Sequence, residues 1–409
     1  MQFTQLGDRQ IAHTSWCTKA RSGWKNCQVD TSQSGEHEAL TVGIEEEFLL
    51  VDQAGQLSTC GPEVVEEAGG SSRGVYRELT SFQVEATTRV CHTGKELLDE
   101  LRALRTLLAA TAAHRQLRLV PCGTFVLSEP LPSTITPDPR YARMAERFGA
   151  VVDSTPICGC HVHVGMPDRA IAVQVSNHLR VWLPLLLALG SNSPYSDSRD
   201  TGYGSWRYVQ WSRWPSAGAP PAFTSLSHYE STVEAMLRSR AMLDRAMVYW
   251  DVRLSEVQPT VEVRVADVAI TAEDGALYGV VVRGLAGALY GVVVRGLAGA
   301  ALRAIAEHRA APELPLELLR AGMWVAARDG LDGAGPCPLT GRLMSLRAQL
   351  DLLHEVLYPV LPVADFDFLV AGLATVAEKG NGAQRQRTEY RRHHCLREVV
   401  DHLAREALR

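Results

Sequence analysis

Three short stretches are apolar and β-favouring, and each is interrupted by carboxylate, imidazole or guanidinium side chains. The first is Thr-Val-Gly-Ile-Glu-Glu-Glu-Phe-Leu-Leu-Val-Asp, residues 41 to 52. Alternation predicts a strand with Glu45 and Glu47 on one face and Glu46 on the other. The second is Ile-Cys-Gly-Cys-His-Val-His-Val-Gly, residues 157 to 165, with Cys158 and Cys160 opposite His161 and His163. The third is Thr-Val-Glu-Val-Arg-Val-Ala-Asp, residues 260 to 267, where Glu262 and Arg264 lie opposite Val261, Val263 and Val265. That pattern predicts a sheet with a core on one side and a polar site on the other. Residues 76 to 90 also alternate well enough for a strand, with Glu78 and Glu85 towards its ends. Seven is an odd spacing, so the two carboxylates converge only if a bulge or bend lies between them.

Helical periodicity fills most of the remainder. Leucines at 97, 98, 101, 104, 107 and 108 predict a helix over residues 94 to 116, followed by a strand over 117 to 125. A proline-rich loop (128 to 139) precedes a short helix (138 to 150). Residues 168 to 190 read as one apolar helix containing Pro184, and 190 to 223 as a long Ser-, Gly-, Trp- and Pro-rich loop. An amphipathic helix is predicted at 227 to 247 and a strand at 249 to 253. Further helices are predicted at 313 to 327, 339 to 357, 366 to 378 and 388 to 408. Residues 276 to 287 recur word for word at 288 to 299. One duplication does not make a solenoid, which needs several repeats. A single helix from about residue 272 to 308 is predicted. Twelve residues rotate a helix face by about 120°, so one copy is expected to overhang the core or kink. A β-hairpin there would overturn this reading.

Residues 1 to 38 lack periodicity and read as a poorly ordered N-terminal extension before a single domain over 39 to 409. The chain has 409 residues, a net charge of −5 and 46% hydrophobic residues, a soluble globular composition without the concentrated basic patch that nucleic acid requires. No uncharged run reaches the length of a membrane span; the closest, 276 to 302, is broken by Arg283 and Arg295. Nine scattered cysteines and an N-terminus without an apolar signal core predict a reduced, cytoplasmic setting. Small molecules are the expected partners, with neither nucleic acid nor membrane; a homo-oligomer is left open.

Two like charges on one face of a hydrophobic strand repel each other and are costly to desolvate. Glu45 and Glu47 therefore read either as a solvated acidic edge or as ligands of a hard cation. The Cys/His stretch suggests zinc, but alternation places its cysteines and histidines on opposite faces, so one strand cannot supply four ligands. The histidines face an acidic cleft or are held by core hydrogen bonds. Arg199, Arg207 and Arg213, interleaved with aromatics in the long loop, suit a carboxylate-binding lid or are simply solvated. The basic stretch 379 to 387 is a plain helix connection or, through Arg385 and Arg387, a contact to substrate or nucleotide.

Gly-Ile-Glu-Glu-Glu-Phe, Glu-Leu-Thr-Ser-Phe-Gln-Val-Glu, Cys-Gly-Cys-His-Val-His-Val-Gly and Thr-Val-Glu-Val-Arg-Val-Ala-Asp-Val follow one another in this order. Together they resemble the glutamate–cysteine ligase type 2 family, the YbdK-like carboxylate–amine ligases, from about Thr41 to Arg387. The resemblance implies an α+β, glutamine-synthetase-like fold: a curved, mainly antiparallel sheet forming a funnel, with helices on its outer face. It implies ATP as co-substrate and Mg²⁺, or Mn²⁺, as cofactor. By resemblance Glu47, Glu78 and Glu85 surround one ion. Glu45, His161 and Glu262 surround another that touches ATP phosphate. Arg264 matches the arginine that neutralises the transferring phosphoryl group, and His163 contacts nucleotide or substrate. The absence of a Gly-x4-Gly-Lys-Ser/Thr loop fits a fold that holds ATP through its metals. The implied reaction is amide formation through an acyl phosphate, with glutamate and cysteine as the leading pair. A catalytically degenerate nucleotide binder, a guanidino-type phosphotransferase and a zinc hydrolase are the alternatives.

Overall fold

Alternation along residues 42 to 51 builds the strand on which the sheet is centred. Ile44, Glu46 and Phe48 face a helical layer, while Glu45 and Glu47 face away. The structure, a computed structural model, describes residues 40–128, 134–152, 156–297 and 314–409, excepting the side chains of 292–297. The expectation for residues 1 to 38 lies outside them. Residues Ala39–Arg409 form one compact unit.

Seven strands make one antiparallel sheet. They are β1 (Val42–Val51), β2 (Val75–Arg77), β3 (Gln83–Thr87), β4 (Arg118–Val120), β5 (Gly159–Gly165), β6 (Val252–Leu254) and β7 (Thr260–Asp267). Their order is β2-β3-β1-β5-β7-β6, with β4 also pairing to β1. Helices cover the valine face: α1 (Gly94–His114), α2 (Arg169–Leu179), α3 (Leu183–Leu189) and, after a short α4 (Trp206–Trp211) at the site, the long α5 (Ala272–Leu297). The mainly antiparallel α+β architecture is the one expected.

Glu46, the middle carboxylate of the triple, belongs to the helical side. Arg105 of α1 grips it with Nε and Nη2 at 2.8 and 2.5 Å, and both side chains are buried. Arg105 also donates to the Ile270 and Ala269 carbonyls, so no charge is left uncompensated there.

Four local expectations need correction. Residues 76 to 90 are not one strand: β2 and β3 form a hairpin whose turn holds Glu78. The apolar stretch 168 to 190 breaks into α2 and α3 because Pro184 cannot donate within a helix and starts a new one at its N-terminus. Residues Arg169–Leu189 are long and apolar enough by composition to cross a membrane, yet 72% of their 18-residue apolar window is buried within the protein. The long loop contains α4, capped by the Ser205 side chain on the Tyr208 N–H. The C-terminal helix begins earlier than expected, and splits. α6 (Gly382–His393) is closed by His394 at φ +51°, and the helix Leu396–Glu406 follows. Arg385 and Arg387 therefore lie on a helix, capped reciprocally by Asn381 and Gln384, and not in a loop.

The duplicated sequence runs within one helix, α5, and its end at 298 to 308 lies outside the described residues. The first copy is core: Leu277, Tyr278, Val280, Val281 and Val282 are all buried. In the second, Leu289 and Tyr290 are only partly so. A Cβ on Gly275 would come within 2.9 Å of Glu46 Oε1, whereas Gly287, twelve residues on, has nothing within 4 Å. Identical residues thus meet the sheet once and then rotate past it.

Candidate active site

Strand register brings the polar residues together. β1 lies between β3 and β5, which sets Glu85 opposite Glu47 and His161 opposite Glu45. β7 then sets Glu262 opposite His163. Residues directly opposed across a sheet share a face, so all six point away from the helices. The β2–β3 turn reverses the chain and returns Glu78 to this face. Reversal, and not a bulge, makes Glu78 and Glu85 converge.

Two triads result. Glu47, Glu78 and Glu85 offer oxygens that lie within 4.8 Å of one another, and so do ligand atoms of Glu45, His161 and Glu262. Among the described residues neither group contains cysteine, and Cys158 and Cys160 are buried free thiols. The separation of cysteines from histidines read from alternation is present in the fold.

The triads differ in electrostatics. In the all-carboxylate triad, burial and the Glu47 charge push Glu78 up to about 7, although the Leu79 N–H donates to it at 2.6 Å. Burial, followed by the charges of Glu45, Glu78 and Glu47, pushes Glu85 well above the usual carboxylate range. Burial acts in the same direction on Glu45 and Glu262 but is outweighed. Contacts from His161 (3.1 Å) and His163 (3.3 Å) hold Glu45 low. Arg264 and Arg253, the latter at 2.8 Å, hold Glu262 well below its ordinary value. Burial and Arg264 lower His161, whereas Glu45 and Glu262 raise His163 against its burial.

Both donor sets are oxygen-rich with at most one imidazole, which suits Mg²⁺ or Mn²⁺. The buried Nε2 of His161 has no hydrogen-bond partner, leaving an open ligand position in its triad. The residues present therefore fit divalent cations.

Two cavities reach the triads, one at Glu45 and the other at Glu47 and Glu78. One of about 660 Å³ is lined by Glu45, His163 and Thr260 together with Ser71, Ser72 and Arg73. The other, about 200 Å³, is lined by Glu47, Glu78 and Arg264 with Arg140, Arg207 and Trp211. Arg264 is bonded to Glu262 at one triad and faces the cavity of the other. Its guanidinium lies 5.7 Å from the Trp211 ring centroid and 5.9 Å from that of Tyr249.

Arg264 joins this site as expected, and of the other candidate arginines Arg207 alone does so. Arg207 is buried against Trp211, and its Nε and Nη1 have no partner. Arg199 and Arg213 are exposed and line neither cavity. Arg385 pairs with Asp274 at 2.5 Å and Arg387 with Asp200 at 2.7 Å, away from both triads' cavities. Sequence reasoning missed Arg140 and Gln210, which line the smaller cavity, and Arg253, which grips Glu262. Arg253 carried a signal, two residues from Asp251 in a strand; the other two had none.

Residues 41–402 match the family model described as glutamate-cysteine ligase family 2. The "Putative glutamate--cysteine ligase 2-1" of Rhodococcus jostii (strain RHA1) is 52% identical over 369 residues, covering 90% of this chain and 97% of that protein. The protein of the same name from Saccharopolyspora erythraea is 42% identical over 380 residues, covering 90% and 95%. Among solved structures, the glutamate–cysteine ligase of Francisella tularensis in complex with AMP superposes with a TM-score of 0.66 at 12% identity, over 90% of this chain and 89% of that one. A bifunctional glutathione synthetase from Pasteurella multocida gives 0.65 at 13% identity, over 91% of this chain and 52% of that one. At such identities the likeness concerns the fold.

Proposed function

The chain belongs to glutamate–cysteine ligase family 2, and on that premise we propose that it is an ATP-dependent carboxylate–amine ligase joining glutamate to cysteine. The observation that carries this reading is the pair of cation-fitting triads on one sheet face, reached by two cavities at Glu45 and at Glu47 and Glu78, with Arg264 bonded to Glu262 and lining the second cavity.

A carboxylate is a poor acyl donor because its oxygen does not leave. In the proposed reaction the acid oxygen attacks the γ-phosphorus of ATP, releasing ADP and forming an acyl phosphate. The amine nitrogen then attacks the acyl carbon, phosphate departs and a proton is released from nitrogen. Both steps need positioning and charge neutralisation more than a protein nucleophile. Divalent cations bound at Glu47/Glu78/Glu85 and Glu45/His161/Glu262 would supply Lewis-acid neutralisation of phosphate charge.

The nucleotide occupies the larger cavity, where His163, held by Thr260 at 2.9 Å, and Arg73 meet it. The acid occupies the smaller one. Arg264 is kept charged, against its burial, by Glu262 and Glu45, so it can neutralise the phosphoryl group in transit. Trp211, Trp214 and Tyr249 wall this cavity and keep water from the acyl phosphate.

The test is ADP release with Mg-ATP, glutamate and a panel of amines, with products identified by mass. Amine-dependent ADP release with a new amide mass is expected, with cysteine the best amine. ADP release without any amide, or a phosphorylated end product, would contradict the reading.

A further inference from the structure

Gln210 is 6% exposed, and its Oε1 is enclosed without a hydrogen-bond partner. It lies three residues after Arg207 on α4, one helical turn away, and both side chains line the smaller cavity. Arg207 is 1% exposed, and its Nε and Nη1 are likewise unpartnered. An enclosed acceptor and an enclosed cation left open side by side are costly unless a ligand completes them. The start of α4 is tied to Ser193, whose carbonyl accepts from the Trp206 N–H and whose hydroxyl accepts from the Arg207 N–H, both at 3.0 Å. Arg207 also lies flat on the bare Gly159 backbone, where a Cβ would come within 2.2 Å of its Nη2.

We propose that Gln210 is the specificity-determining residue for the acid substrate: its carboxamide oxygen accepts from the substrate's α-ammonium while Arg207 binds the α-carboxylate. The two groups leave one carbon, so side chains one turn apart can meet both. The substrate's distal carboxylate then extends towards Arg264 and the Glu47 triad, on the same cavity wall. Gln210 thereby separates an α-amino diacid from the plain diacid of equal length. This rests on the ligase reading, in which the smaller cavity holds the acid.

The test compares glutamate with glutarate, which lacks the ammonium group, in wild type, Gln210→Leu and Gln210→Glu. kcat/KM is measured with Mg-ATP and cysteine as the fixed amine, and again with cysteamine in its place. Thermal shift by each acid, without nucleotide or amine, is read separately. A hydrogen bond to a charged group implies a glutamate preference of about 10- to 100-fold in wild type. Gln210→Leu should remove most of it through KM for glutamate, with kcat changing less. Gln210→Glu, which keeps an acceptor, should retain the preference and the glutamate-induced shift. Equal losses for both acids in Gln210→Leu, or an unchanged ratio, would overturn the assignment. So would a change confined to the discrimination of cysteine from cysteamine, which would place Gln210 on the amine. If wild type forms no amide but glutamate, and not glutarate, raises its melting temperature in a Gln210-dependent way, the ligase reading fails while the contact of Gln210 with the α-ammonium is upheld. Absence of both responses overturns both.

Discussion

The two triads are built from neighbouring positions on the same strands, yet they are stabilised in opposite ways. Glu45, His161 and Glu262 are surrounded by cationic partners: His163, Arg253 and Arg264 balance the carboxylates. Glu47, Glu78 and Glu85 face mainly one another, and burial with mutual repulsion favours protons on Glu78 and Glu85. A salt-bridged group keeps its shape without a ligand. An uncompensated one is a standing demand for positive charge, met by protons or by a metal. The difference teaches which triad the protein's own charges balance and which they leave with excess negative charge. Arg264 is tied to the compensated triad through Glu262 and lines the cavity of the other.

The largest expected effect follows from removing a ligand of the uncompensated triad. Glu47→Gln should lower kcat by about 10³-fold or more with the fold intact by circular dichroism. Near-normal turnover would remove Glu47 from the metal role. Arg264→Ala should lower kcat by about 10²- to 10³-fold while changing ATP affinity much less, as steady-state kinetics and equilibrium nucleotide binding would report. A loss mainly in ATP affinity would place Arg264 on the nucleotide instead.

Smaller effects sharpen the contrast. Glu78→Gln removes a like charge, so the metal-free variant should melt a few degrees above wild type. Mg²⁺ should then raise its melting temperature less than it raises that of wild type. Glu45→Gln should do the reverse, melting lower because His161 and His163 lose their partner. If both variants moved in the same direction, the contrast between the triads would fail.

Asp251 gives a baseline outside both. It is buried, takes one hydrogen bond from Tyr208 at 3.1 Å, and burial raises it from an ordinary 3.8 to about 7. Between these values the folded chain keeps a proton that the unfolded chain has released. Stability therefore falls as pH rises through this window, and the slope from Asp251 ends above it. Asp251→Asn should flatten that part of a pH–melting profile; an unchanged slope would contradict the assignment.

The central strands were legible because β5 and β7 alternate imidazole or charge against valine, and because β1 is an apolar run broken by three carboxylates. The pairing of those strands was not legible locally: register arises from tertiary packing, and only resemblance joined Glu45 to His161 and Glu262. The convergence of Glu78 and Glu85 depended on a hairpin whose first strand has three residues, too short to show a period. Arg207 stood out among aromatics, but Gln210 was invisible: its partnerless state is a property of the fold. Arg385 and Arg387 read as substrate or nucleotide contacts because they are basic residues near glycines, yet Asp274 and Asp200, distant in sequence, pair with them. The duplication was readable from helix geometry alone, because twelve residues do not restore the same face.

The central claim is that both triads hold divalent cations and differ in what else compensates them. Mn²⁺ binding to the full chain with a non-hydrolysable ATP analogue, followed by electron paramagnetic resonance, tests it most directly. Two bound ions per chain are predicted for wild type, with Glu78→Gln losing one and retaining the other. Equal stoichiometry in wild type and Glu78→Gln would contradict the account.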